Sequence, residues 1–208
     1  MPMSGFRRDK NKKIDKILET FKKLVNENGY EKLSTRHIAK VAGISVGIIY
    51  HYFPTGKPSI AMGYLERLTQ SLFNPTLFLT AQNDETRKNL YADFIRGHIE
   101  SHRKNLEIHR ALDQAILGNE EVRKHNADII QLNLKSSAEE LIKKGLYQNI
   151  PSPDVIKRFL VNFKLIEAVI HRHILVEPFF ESDEELTDFL SKILLLLHKY
   201  NDKAQPKI

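Results

Sequence analysis

Residues Ser34 to Lys57 read STRHIAKVAGISVGIIYHYFPTGK. Ser34-Thr35 is a polar pair after Leu33, and the Thr35 hydroxyl is a candidate N-cap for a first short helix. Ile38, Ala39, Val41 and Ala42 give that helix a narrow apolar face, and its two alanines allow another helix to come close. Gly43 can take the positive φ that ends a helix. Ile44 can plug the core between two helices, and Ser45 can cap a second one that opens with Val46, Gly47 and Ile48. A glycine inside a helix costs about 1 kcal/mol relative to alanine. Gly47 therefore makes sense where a backbone must approach another molecule closely. Tyr50, His51 and Tyr52 follow, each able to reach a phosphate or a base edge. Helix, glycine turn and polar-faced second helix together predict a helix-turn-helix whose second helix lies in the major groove of duplex DNA.

These residues resemble the DNA-binding domain of TetR/AcrR-type transcriptional repressors. The family pattern is a Thr-capped helix, Ile-Ala-x-x-Ala-Gly-Val-Ser, Gly-x-(Leu/Ile)-Tyr-x-x-Phe, then a Lys opening the next helix. This chain has Thr35, Ile38-Ala39, Ala42-Gly43-Ile44-Ser45, Gly47, Ile49-Tyr50, Phe53 and Lys57 at matching spacing. The close resemblance runs from residue 10 to residue 60; beyond it only length and helical pattern match. Two positions depart from the pattern. A His often found before the Phe is Tyr52 here, with His51 one place earlier, and Gly56 lengthens the approach to Lys57. The resemblance implies a dimeric transcriptional regulator on a palindromic operator, most simply a repressor released by a small-molecule effector of unknown class. In that setting Thr35, Tyr50, Tyr52 and Lys57 would hold phosphates. Arg36, Val46, Ile48 and His51 would lie nearest the bases, with Ser45 and Gly47 at the close approach.

Charge is distributed in the same sense. Residues 1–60 hold 12 Lys+Arg and 5 Asp+Glu, a net of +7 within a chain of formal charge +6. All of the excess lies beside the helix-turn-helix, as a polyanion partner requires. A solvated basic face, or a helical protein-interaction module whose basic N-terminus binds an acidic partner, is the alternative. Salt-sensitive binding to a palindromic duplex, but not to scrambled sequence, separates them. The chain has no Cys, which excludes disulfides and thiolate chemistry. MPMSGFRRDKNKK has no apolar segment behind it and is not a secretory signal. The apolar runs are far shorter than the ~20 residues of a membrane span. A cytoplasmic protein without membrane contact is expected.

Ile14, Ile17, Leu18, Phe21, Leu24 and Val25 form a helical stripe that Gly29 ends. This helix should roof the helix-turn-helix. Arg7, Arg8, Lys10, Lys12 and Lys13 form either an arm on DNA or a tail. Lys57-Pro58 opens a fourth helix that Asn74-Pro75 stops. Further helices are expected over 84–103, 106–117, 120–146, 152–176 and 182–200. The fold class is all-α, with about nine helices. A three-helix helix-turn-helix domain should span 1–56, a connecting helix 57–74, and a larger ligand-binding and dimerisation domain 75–208.

The last two helices carry more apolar surface than one buried stripe needs. Phe159, Phe163, Ile166 and Ile170, with Phe189, Ile193, Leu196 and Leu197, suit a four-helix interface with the same pair of a second chain. Two wide core helices would give the same pattern. A small-molecule pocket could be lined by Met62, Leu65, Phe73, Phe94, His98, His102 and Phe163, an apolar set with polar anchors, although core positions look the same. His98 and His102 share a helix face, but there is no HExxH and no carboxylate at a telling offset. Ordinary histidines, no metal and no cofactor are expected. No nucleophile elbow, P-loop or dinucleotide motif occurs, which argues against an enzyme.

Overall fold

Ile17, Leu18, Phe21, Leu24 and Val25 recur along the first helix and are all buried. In the computed structural model, which describes residues 3–72, 81, 83–147 and 150–203, the chain is all-α. Among the described residues the helices are α1 (Met3–Asn28), α2 (Thr35–Ala42), α3 (Val46–Tyr52), α4 (Lys57–Leu72), α5 (Asp84–Lys104), α6 (Leu106–Gly118), α7 (Glu120–Lys143), α8 (Ser152–His171) and α9 (Asp183–Lys203). One π-helical turn, Arg172–Val176, extends α8. None of these helices is long and apolar enough to cross a membrane.

Two compact units emerge. The first combines Met1–Leu68 with Leu106–Ile129. Its core joins the α1 stripe to Ile38 and Ala39 of α2, Ile49 of α3, Ile60, Ala61 and Tyr64 of α4, and Ile108, Ala111 and Leu112 of α6. The Ile, Leu and Phe side chains among them each contribute roughly 1.5–3 kcal/mol by leaving water. The expected boundary at residue 56 is therefore not where this unit ends. The short amphipathic helix α6 closes the core beside α1, a pairing across about 90 residues of sequence that periodicity cannot reveal.

The second unit combines Thr69–Asn105 with Ile130–Ile208. Asn83 and Thr86 start α5 with a reciprocal capping box. The main core sets Ile95 and Ile99 of α5 against Ile166 and Ile170 of α8 and Leu186, Leu190 and Leu194 of α9. Ile130, Leu134 and Phe163 make a smaller cluster, and Ala138, Ile150 and Val155 another. Helices α5 and α9 run antiparallel, tied by the ion pairs Lys88–Asp188, Arg96–Glu184, Arg103–Asp183 and Lys199–Asp84.

Two helix ends differ from expectation. Helix α7 stops at Lys143, before Gly145 at φ 93. The α8 segment reaches Val176 only by widening into the π turn. There buried His173 offers Nδ1 to the Phe179 and Phe180 N–H groups at 3.2 and 3.4 Å. The expected stop at Asn74-Pro75 lies outside the described residues.

Candidate nucleic-acid interface

Ser34, rather than Thr35, caps α2. Its hydroxyl accepts the His37 N–H at 3.1 Å from an extended backbone. Thr35 is the first helical residue, and its hydroxyl accepts the Lys57 N–H at 3.0 Å. It thus ties the start of α4 to the start of α2 while keeping its own proton for an outside acceptor. Adjacent Ser and Thr are both good caps, and only the backbone angles decide which one acts. Gly43 ends α2 at φ 60, with its N–H bonded to Lys40 O and the Ile44 N–H bonded to Ala39 O. These are the two bonds of a Schellman turn. Ser45 then caps α3, accepting the Ile48 N–H at 3.3 Å.

Helix α3 is thus fixed at its start and anchored by Ile49, which is fully buried. Its outer face carries Gly47, Tyr50 and His51, all exposed, with exposed Ser45 at its cap. A Cβ on Gly47 would meet nothing within 4 Å. Val46, Ile48 and Tyr52 are half-buried, and Val46 and Tyr52 pack on the first unit's core. The expected apolar base contacts are therefore partly committed inward. Arg36 and Lys40 are exposed on α2, which packs against α3. Lys40 escaped the sequence reading, although its place one turn after Arg36 was a signal that could have found it.

Lys57 differs from the phosphate-holding role expected for its side chain. Its ammonium donates to the Tyr30 carbonyl oxygen at 3.1 Å and sits 4.1 Å from the Tyr30 ring centroid. Burial pushes its pKa down. The charge points into the domain, where it braces the start of α4. Gly56 explains the lengthened approach: it has φ +70, and a Cβ there would fall 2.4 Å from Thr35 Oγ1 and 3.2 Å from Tyr50 Cε1.

The expected pocket residues divide between the units. Leu65 is buried in the first unit's core and Met62 packs against it. Phe94, His98, His102 and Phe163 belong to the second, and Phe73 lies outside the described residues. His98 stacks on Phe94 and meets Phe163 edge-on. Glu167 and His171 join His98 and His102, and Glu167 is a partner that the sequence reading missed. The i, i+4 spacing of Glu167 and His171 was its signal. Burial alone would raise the Glu167 carboxyl, but the charge and hydrogen bonds of His98 and His171 outweigh it and hold the group well below the usual range.

The expected interface residues also divide. Phe163, Ile166 and Ile170 are buried inside the chain's own core, which corrects their assignment to a dimer surface. Phe159, Ile193 and Leu197 are half-buried. Phe189 and Leu196 are exposed, at 44% and 62%, and Val161 and Leu165 of α8 add to them at 54% and 37%.

Comparison with known proteins bears on this arrangement. Residues 17–58 match the family described as bacterial regulatory proteins, tetR family. No curated protein matches the chain. A solved structure from Syntrophomonas wolfei str. Goettingen, assigned to the TetR family of transcriptional regulators, aligns over 95% of this chain and 98% of its own, at 18% identity and TM-score 0.61. A TerR/AcrR-family regulator from Aquifex aeolicus VF5 covers 89% of this chain and 99% of its own, at 19% identity and TM-score 0.57. The regulator FadR from Bacillus subtilis, solved in complex with stearoyl-CoA, covers 88% and 96%, at 20% identity and TM-score 0.59. At these identities the likeness is one of fold.

Proposed function

We propose that this chain, whose residues 17–58 match the TetR family of bacterial regulatory proteins, is a dimeric transcriptional repressor that a small-molecule effector releases from a palindromic operator. The observation that carries this reading is the outer face of α3, held by Ser45 and Ile49, with Gly47 open to its surroundings. Gly47 would admit the closest approach to DNA. Tyr50, Tyr52 and the Thr35 hydroxyl would take phosphates, and Arg36 and His51 would reach base edges. Val46 and Ile48 would contribute their exposed edges to thymine methyls. Few bidentate readers are present, so part of the specificity would come from DNA shape. Lys57 would act by bracing the start of α4 rather than by holding a phosphate.

The effector would occupy the second unit, in the surroundings of Phe94, His98, His102 and Phe163, and would favour the state that cannot bind DNA. The regulator FadR from Bacillus subtilis, solved in complex with stearoyl-CoA, supports a small-molecule effector for a chain of this fold. Gly47→Leu is the direct test. Its side chain enters open space and removes a helix-interior glycine, so the fold should be retained or strengthened. Fluorescence anisotropy on a duplex selected from the protein's own upstream DNA should show binding abolished. Undiminished operator binding by that variant would sink the proposal.

A further inference from the structure

Four side chains of the second unit converge on one another. His98 and His102 lie one turn apart on α5, and Glu167 and His171 lie one turn apart on α8. His98 Nε2 is hydrogen-bonded to Glu167 Oε2. His171 Nε2 lies 2.7 Å from Glu167 Oε1, and His102 Nε2 lies 3.8 Å from that same oxygen. Ligand atoms of His98, His102 and Glu167 all fall within 4.8 Å of one another. His98 and His102 are buried, while Glu167 and His171 keep 28% and 24% of their side chains exposed, which leaves a way in.

A backbone contact orients His102. Its Nδ1 lies 2.9 Å from the His98 carbonyl oxygen. A carbonyl can only accept, so Nδ1 carries the proton. The ring's Nε2 is thereby turned toward the Glu167 carboxylate, 3.8 Å from Oε1. Anchoring one ring nitrogen on a backbone carbonyl is also how metal-ligating histidines have their other nitrogen aimed.

We propose that the second unit binds one divalent transition-metal ion of the zinc type through Nε2 of His98, His102 and His171 and the carboxylate of Glu167. Three imidazoles and one carboxylate suit a tetrahedral ion with bonds of about 2.0–2.2 Å. Magnesium and calcium, which take oxygen ligands, are a poor fit to a nitrogen-rich set. Phe94 and Phe163, with ring centroids 5.9 and 6.2 Å from that of His98, form an apolar wall that strengthens the ion's hold on its ligands.

The test uses the full chain without an affinity tag, stripped with chelator, then titrated with Zn²⁺ by calorimetry and with Co²⁺ by visible absorption. One ion per chain should bind, and Co²⁺ should give the intense visible bands of a tetrahedral site. Glu167→Gln and His171→Gln should each weaken binding by more than the roughly 10–100-fold that loss of an outer-shell partner costs, with circular dichroism showing the fold intact. His125→Gln, in the other unit, should bind as the wild type does. No stoichiometric uptake, a weak octahedral Co²⁺ spectrum, equal binding of Mg²⁺, or affinity unchanged in both variants would each overturn the proposal. Should one variant fail to fold, the wild-type Co²⁺ spectrum and the other variant still decide it.

Discussion

Thr35, Gly56 and Lys57 form a small joint at the residue scale. The Thr35 hydroxyl holds the first N–H of α4, Gly56 makes room for that hydroxyl, and the Lys57 ammonium closes on Tyr30. Gly56→Ala forces a left-handed φ on an alanine and drives its methyl into Thr35. A loss of about 1–3 kcal/mol is expected. Differential scanning calorimetry should show it as a fall of about 2–4 °C per kcal/mol for a chain of this size. An unchanged melting temperature would mean that the joint relaxes freely. The same geometry separates two basic residues. Arg36→Ala should cost about 1–3 kcal/mol and relax specificity at the base that it reaches, whereas loss of a phosphate contact lowers the slope of log affinity against log salt by about 1. Lys57→Met should leave that slope where it is, because its charge is turned toward Tyr30. A slope reduced by Lys57→Met would return its ammonium to the phosphate contacts.

Helix pairing explains the second unit at the element scale. Helices α5 and α9 meet through Ile95, Ile99, Leu186 and Leu190, and the ion pairs edge that contact. The partners hold three carboxyls below their ordinary range: Arg103 by hydrogen bond for Asp183, Lys192 and then Lys88 for Asp188, and Lys199 for Asp84. A carboxyl whose folded pKa lies below its unfolded value binds fewer protons folded than unfolded. Its stabilisation is therefore complete above the unfolded value, about 3.9 for Asp, and is lost as pH falls through the folded value. Urea midpoints should show no change with pH from these groups between pH 5 and 8, where their stabilisation is fully present, and a decline below about pH 4. Arg103→Gln should flatten that decline. Because the pairs are largely exposed, each effect is small and weakens with salt. An equally steep acid decline in Arg103→Gln would assign the effect to other carboxyls.

Reading two half-sites requires two copies of α3, so assembly belongs to the scale of the whole molecule. Phe189, Ile193 and Leu196 recur at i, i+4 and i+7 on α9, and Val161 and Leu165 at i, i+4 on α8, on the sides that the protomer's own core does not use. Leu165→Glu and Leu196→Glu should shift a dimer toward monomer in sedimentation equilibrium and weaken operator binding together with it. Leu117→Glu, 79% exposed near the end of α6, should do neither. Dimers that survive both α8 and α9 substitutions would place the contact elsewhere.

The helix-turn-helix was legible in the sequence because its signals are local. Gly43, Ser45 and the Ile38–Ala39–Ala42 face act within a turn or two of themselves, so fixed offsets suffice to identify them. Helical periodicity likewise located the later helices to within a few residues. Tertiary structure alone decided what depends on distant partners. It chose Ser34 over Thr35 as the cap, turned Lys57 onto Tyr30, and drew α6 into the first unit. It buried Phe163, Ile166 and Ile170 while leaving Phe189 and Leu196 outside, and it set Glu167 and His171 against His98 and His102. The amphipathic pattern states that a face is apolar, or that a side chain can accept or donate. Which surface meets it is set by chain crossings tens of residues apart, where no sequence offset is fixed.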